Sequence, residues 1–123
     1  MARRLLYGIT GGIAAYKAPF IIRAFQKHNV DVKPVVTRHG FQFVTPATLS
    51  ALTGGPVHSD MFAESGDGGY AHLDLPRWAH ALLVAPATAN CLGKFAWGVA
   101  DELLSTLFTA LKRPAILAPA MNH

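Results

Sequence analysis

The groups in this chain that could take part in chemistry stand at a few places. Thr10-Gly11-Gly12-Ile13 follows the apolar run Leu5, Leu6, Tyr7 and Ile9. Glycine lets the backbone approach a ligand, and the free N–H groups that open the next helix then face any anion held there. A phosphate is the usual occupant. A Gly-Gly pair after a strand serves equally as a plain turn, and the spacing matches neither the dinucleotide fingerprint nor a P-loop. Thr37 ends the run DVKPVVT and offers its hydroxyl either to the same anion or to the turn Arg38-His39-Gly40. Thr88, Ala89, Asn90 and Cys91 follow the apolar run ALLVA. There Asn90 either meets a ligand or caps the helix that begins, and Cys91 is either a ligand contact or a small buried apolar residue. His72 is a candidate acid/base group, because imidazole has an ordinary pKa of about 6.5; a hydrogen-bonded packing role is the alternative. His28, His39, His58, His80 and His123 read as surface residues. Asp101 and Glu102 read as a helix start rather than a catalytic carboxylate pair.

These groups meet only if the elements between them bring them to one edge. Ala14, Ala18, Ile22 and Phe25 share a helical face, and that helix ends near His28-Asn29 with a kink or restart at Pro19. Asp31 to Thr37 reads as a second strand, Pro34 lying near its beginning or on a poorly paired side. Thr45-Pro46 opens a short helix through Leu52 that Thr53-Gly54-Gly55-Pro56 closes. From Val57 to Tyr70 periodicity is lost and Ser, Asp and Gly gather, which predicts a mobile surface loop bordering a site. His72 to His80 reads as a short helical or extended lead-in limited by Pro76, and Ala81 to Ala85 as a central parallel strand. The next helix stops at Gly98. Another starts at Asp101, with Leu104, Leu107, Phe108 and Leu111 as its buried stripe. Ala115 to Ala118 forms the last strand and Pro119-Ala120-Met121-Asn122 its end. This order predicts an α/β fold: a doubly wound parallel sheet in three layers, with all four strand ends on one side.

Composition sets the class. The 123 residues are 51% apolar and 15% charged, which suits one globular domain, residues 1–123. No apolar run reaches the roughly 20 residues of a membrane span, and no signal peptide is evident, so a soluble cytoplasmic protein is expected. One cysteine excludes an internal disulfide and a multi-cysteine metal site, and no metal is expected. The net charge of +4 suits an anionic ligand. The basic residues form no run beyond Arg3-Arg4 and Lys112-Arg113, read as solvated element ends, so nucleic acid is not expected as a partner.

Taken together, GITGGIAAYK (Gly8 to Lys17), VVT (Val35 to Thr37), H-x-x-L-x-x-W-A (His72 to Ala79), APATAN (Ala85 to Asn90), G-x-A-D-x-L (Gly98 to Leu103) and PAMN (Pro119 to Asn122) resemble the flavin-dependent cysteine decarboxylase family. The resemblance is greatest to the branch acting on phosphopantothenoylcysteine, and it runs from Leu5 to Asn122. It implies a Rossmann-like flavoprotein fold and FMN as cofactor. Gly11, Gly12 and Ile13 would cradle the FMN phosphate through backbone N–H groups, with Thr37 adding a hydroxyl. Phe43 would lie near the flavin, and Thr88, Ala89, Asn90, Cys91 and Ala120 would contact its ribityl chain and ring. His72 would be the acid/base residue; Asn122, with Met121, would hold the substrate. The implied reaction is decarboxylation of 4'-phosphopantothenoylcysteine to 4'-phosphopantetheine in coenzyme A biosynthesis. The cysteine side chain is first oxidised to a thioaldehyde by loss of the thiol proton and transfer of a β-carbon hydride to flavin. Carbon dioxide then leaves, and the same flavin reduces the ene-thiol, so no net oxidation remains.

The resemblance also implies a homo-oligomer, a trimer or trimer of trimers, with FMN near subunit boundaries. Relatives continue past PAMN with Met, Trp and a segment carrying a proton-donating cysteine. This chain ends at His123, so a truncated or shortened form with incomplete final reduction is expected. The alternatives are a non-catalytic FMN-binding module or regulatory subunit, and a flavin prenyltransferase relative. PAMN and the His72 motif argue against the last.

Overall fold

The computed structural model describes residues 2–59, 61 and 70–121. Among them, β1 (Arg3–Ile9), β2 (Val30–Val36), β3 (Ala81–Ala87) and β4 (Ala115–Pro119) form one parallel sheet in the order β2-β1-β3-β4. From β1 the chain crosses to β2 on one side and then returns to build β3 and β4 on the other. Connections therefore diverge between β1 and β3, which leaves a crevice at the carboxyl ends of those strands.

The alternation along β1 divides the core. Leu5, Tyr7 and Ile9 face Ala18 and Ile22 of α1 (Ala18–Gln26) and Leu49 of α2 (Pro46–Thr53). Leu6, with Leu82 and Val84 of β3, faces Leu75 of α3 (Ala71–Trp78), Cys91 of α4 (Ala89–Trp97) and Leu103, Leu104 and Leu107 of α5 (Leu103–Ala110). Each such buried leucine contributes about 1.5–3 kcal/mol. Gly8 makes the second layer tight: a Cβ there would lie 2.8 Å from Leu104 Cδ1. The expected three-layer, doubly wound α/β architecture is the one observed.

Local chemistry sets the element ends. Ile13–Lys17 is a short 3-10 helix, and α1 restarts behind it with Pro19 in its first turn, where no N–H is needed. Thr45 caps α2, accepting from Thr48 N at 3.3 Å. Pro34 sits within β2, which is an edge strand, so the missing donor interrupts no second ladder.

Four expectations change. α3 runs through Pro76 to Trp78, although the proline forgoes the bond to the His72 carbonyl and crowds that oxygen. The cap of α4 is Thr88, which accepts from Cys91 N at 3.3 Å, and not Asn90. The cap of α5 is Glu102, in a capping box with Ser105, and not Asp101. In α5 the fully buried leucines are Leu103, Leu104 and Leu107, with Phe108 and Leu111 packed partly against them. Of the expected loop from Val57 to Tyr70, residues 60 and 62–69 lie outside the described residues. The part that is described is ordered on the sheet: His58 forms a parallel bridge to Val35 on the outer edge of β2.

Candidate functional site

At the carboxyl ends of the strands a cleft of about 430 Å³ opens, within the roughly 300–1,000 Å³ range of small-molecule sites. Its floor is Thr10 and Gly11 after β1 and Thr37 after β2; Thr88, Asn90 and Cys91 of the β3–α4 turn form one side. Arg38 and His39 stand on another side, and Lys94, Asp101 and Glu102 close the α4–α5 corner.

The floor is cross-tied. Thr10 Oγ1 donates to Pro86 O, Thr37 N donates to Ile9 O at 3.0 Å, and Ala120 N donates to Ala87 O at 3.2 Å. Each strand end is thus bonded to its neighbour. Thr37 Oγ1 accepts from Gly40 N at 3.2 Å, so this hydroxyl holds its own turn while still lining the cleft. Gly12 N donates to Thr10 O at 3.0 Å. That bond closes the turn on which Gly11, Gly12 and Ile13 stand. Gly11 itself has no room for a side chain: a Cβ would lie 2.5 Å from His39 Cβ.

Charge is concentrated at the far corner. Lys94 Nζ lies 3.0 Å from Asp101 Oδ1 and 3.6 Å from Glu102 Oε1. Burial alone would lower the Lys94 pKa, but the hydrogen bond to Asp101 and the charge of Glu102 outweigh it and raise it. The same bond to Lys94 holds the Asp101 carboxyl below its usual range. Burial pushes the Cys91 thiol up, so it is a poor nucleophile here.

Of the expected site residues, Gly11, Thr37, Thr88, Asn90 and Cys91 line this cleft together. Gly12, Ile13, Phe43, Ala89, Ala120 and Met121 are described but lie outside its lining, with Ile13 66% and Met121 58% exposed. Asn122 lies outside the described residues. His72 occupies a second cleft with Arg77, Lys112 and Arg113, and the two linings share no residue. Its Nδ1 is 3.1 Å from Met61 O. His58, read from the sequence as a surface residue, is half-buried, and its Nε2 is buried.

Arg38, His39 and Lys94 are cleft walls that the sequence did not single out. A signal was present for Lys94, which follows Asn90 by four residues and so shares its helix face. Arg38 and His39 come from the turn after β2, beside a strand end already singled out. The lining thus combines the hydroxyls of Thr37 and Thr88, the Asn90 amide, the His39 imidazole and the Arg38 guanidinium with a Lys94 that is already paired to Asp101 and Glu102, a set that suits a polar ligand with an anionic end near Arg38.

The profile of the Flavoprotein family matches residues 1–123. The chain belongs to the Flavoprotein family. Within that family it is 40% identical over 121 residues to the coenzyme A biosynthesis bifunctional protein CoaBC of Haemophilus influenzae, covering 98% of this chain and 30% of that protein. It is likewise 40% identical over 120 residues to CoaBC of Bacillus subtilis. The chain spans about 30% of the length of these curated relatives. Among solved structures, the FMN-dependent cysteine decarboxylase SpaF is similar with a TM-score of 0.91 and 34% identity, covering 98% of this chain and 69% of that one. A mutant PPC decarboxylase complexed with pantothenoylaminoethenethiol gives a TM-score of 0.86 and 31% identity, covering 99% and 69%. The Flavoprotein fold thus accounts for the whole described sheet. Among the described residues, no helix is long and apolar enough to cross a membrane.

Proposed function

We propose that this Flavoprotein member binds FMN in the 430 Å³ cleft and decarboxylates a cysteine carboxylate, 4'-phosphopantothenoylcysteine giving 4'-phosphopantetheine. The observation that carries the reading is the convergence of Gly11, Thr37, Thr88, Asn90 and Cys91 on one cleft. The likeness to CoaBC proteins and to FMN-dependent cysteine decarboxylases supports it.

The residues present fit the phosphate and ribityl half of FMN. At Gly11 the backbone approaches closely where a Cβ would collide, and α4 presents its N-terminal N–H groups beside Asn90. Thr10 and Thr37 bring hydroxyls, and Arg38 adds positive charge. The chemistry FMN supplies when bound is reversible acceptance of a hydride from the substrate β-carbon; the thioaldehyde so formed takes up the electrons left as carbon dioxide departs. Asn122, with Met121, holds the substrate carboxylate or neighbouring amide. His72 takes the thiol proton.

His72 lies outside the FMN cleft of its own chain, so this role requires the cleft of a second copy. The reading therefore includes a homo-oligomer, a trimer or trimer of trimers, with FMN near subunit boundaries. The same separation favours one alternative, an FMN-binding module or regulatory subunit without turnover.

The test is a visible absorption spectrum of the purified protein with chromatographic identification of the chromophore, followed by carbon dioxide release from the cysteine substrate. Stoichiometric FMN and release that His72→Asn abolishes with FMN retained are expected. A colourless protein that takes up no added FMN overturns the reading. FMN without release leaves the module.

A further inference from the structure

Lys94 bridges two carboxylates at the charged corner of the 430 Å³ cleft, 3.0 Å from Asp101 Oδ1 and 3.6 Å from Glu102 Oε1. Its side chain is 19% exposed, against 27% for Glu102 and 57% for Asp101, so it is the best shielded of the three charges. Lys94 lies in the last turn of α4, Asp101 in the connection that follows, and Glu102 is the N-cap of α5. Helix dipoles account for part of this, since a cation suits the C-terminal end of α4 and an acid the N-terminal end of α5. They do not require all three side chains to line one cleft, which is where they stand.

The charges of the lining balance. Leaving His39 aside, Arg38 and Lys94 stand against Asp101 and Glu102 among the described residues, two cations to two carboxylates. Without Lys94 the balance becomes one cation to two carboxylates. A space of this volume is on the order of 8 Å across, within the Debye length at physiological salt, so charges on its walls act on an anion held anywhere inside. The phosphate of FMN carries close to two negative charges, while the polyol and oxidised ring carry none. Carboxylates left uncompensated would repel the phosphorylated flavin and leave riboflavin nearly indifferent.

We propose that Lys94 is a specificity-determining residue: by neutralising Asp101 and Glu102 it sets the preference of the cleft for phosphorylated over unphosphorylated flavin. The inference rests on the FMN reading of the cleft and adds to it the group that admits the phosphate. Lys94 acts through the two carboxylates it holds, so its ammonium needs no contact with the ligand.

The test titrates the full chain, stripped of flavin, with FMN and with riboflavin, following flavin fluorescence. Lys94→Gln should cut the preference for FMN by roughly tenfold and shift riboflavin affinity by no more than about twofold, and the loss should shrink as salt rises. Lys94→Arg should keep the preference. Adding Glu102→Gln to Lys94→Gln should restore most of it, because one cation then faces one carboxylate. The double variant Asp101→Asn/Glu102→Gln should widen the preference beyond the parent, a gain that damage to the fold does not produce. That variant decides the matter if circular dichroism shows Lys94→Gln to be unfolded. A Lys94→Gln protein that folds and loses both flavins equally, or an unchanged preference without the two carboxylates, would overturn the role of Lys94 and leave the FMN reading standing. A parent that takes up neither flavin overturns the FMN reading and this inference with it.

Discussion

At Gly11 a methyl group has nowhere to go. Its Cβ would meet His39 Cβ at 2.5 Å and the His39 backbone at 3.1 Å, so the turns after β1 and β2 would have to separate. At Gly12 the nearest atom to an added Cβ is Pro86 Cγ at 3.5 Å, an ordinary contact, and the backbone there is extended (φ −138, ψ 158). Gly11→Ala should therefore cost about 1–3 kcal/mol, as overpacking does, and weaken FMN binding. Gly12→Ala should stay within about 0.5 kcal/mol of the parent. Urea denaturation with flavin fluorescence titration checks both. The two neighbours look alike in sequence; only the opposing turn tells them apart.

Among the elements, β2 has an unusual outer edge. His58 N donates to Pro34 O at 3.0 Å, and Val36 N donates to His58 O at 2.9 Å, so one residue clips the strand. The His58 Nε2 is buried, with no hydrogen-bond partner among the described residues. Burial, and then the charge of Lys33, lower the His58 pKa in the folded chain. The folded state thus resists a proton that the unfolded state accepts near pH 6.5. Stability should hold above about pH 6.5, fall as pH drops from there through the lower folded-state value, and level off below it. His58→Gln should flatten that part of a stability-against-pH curve measured by chemical denaturation. A parent curve already flat over that range would refute the coupling. Most elements were legible in the sequence because apolar runs and Gly or Pro punctuation are local signals. The small-residue turn after the third apolar run and Gly98 marked α4, and the four apolar runs marked the strands. What was illegible depended on tertiary partners. Thr88 caps α4 because the strand end before it is extended, which leaves Asn90 facing the cleft. Pro76 is tolerated because α3 packs on α5 through Leu75, on its buried side. His58 looked like one more polar loop residue until β2 proved to be an edge. The cleft floor followed from topology, since parallel strand ends share one side; the corner of Lys94, Asp101 and Glu102 needed the packing of α4 beside α5.

For the molecule as a whole, apolar surface is the salient property. Trp97 is 86% exposed, Phe20 69% and Ile13 66%, and on the edge strand β4 Ile116 is 58% exposed. Large exposed apolar residues in such number mark interaction surfaces. Sedimentation velocity should show a species several times the 13.2 kDa protomer, and Trp97→Asp with Phe20→Asp should lower that mass. A single monomeric species at all concentrations in the parent would remove the oligomer from the reading, and with it the route by which His72 reaches a flavin. The bonds between strand ends have a kinetic consequence as well. Thr10 to Pro86, Thr37 to Ile9 and Ala120 to Ala87 fasten the four carboxyl ends into one plate. A ligand arriving there meets a finished socket, and little backbone entropy remains to be lost on capture. At the floor formed by the described residues, its residence time is then governed by how fast the contacts let go.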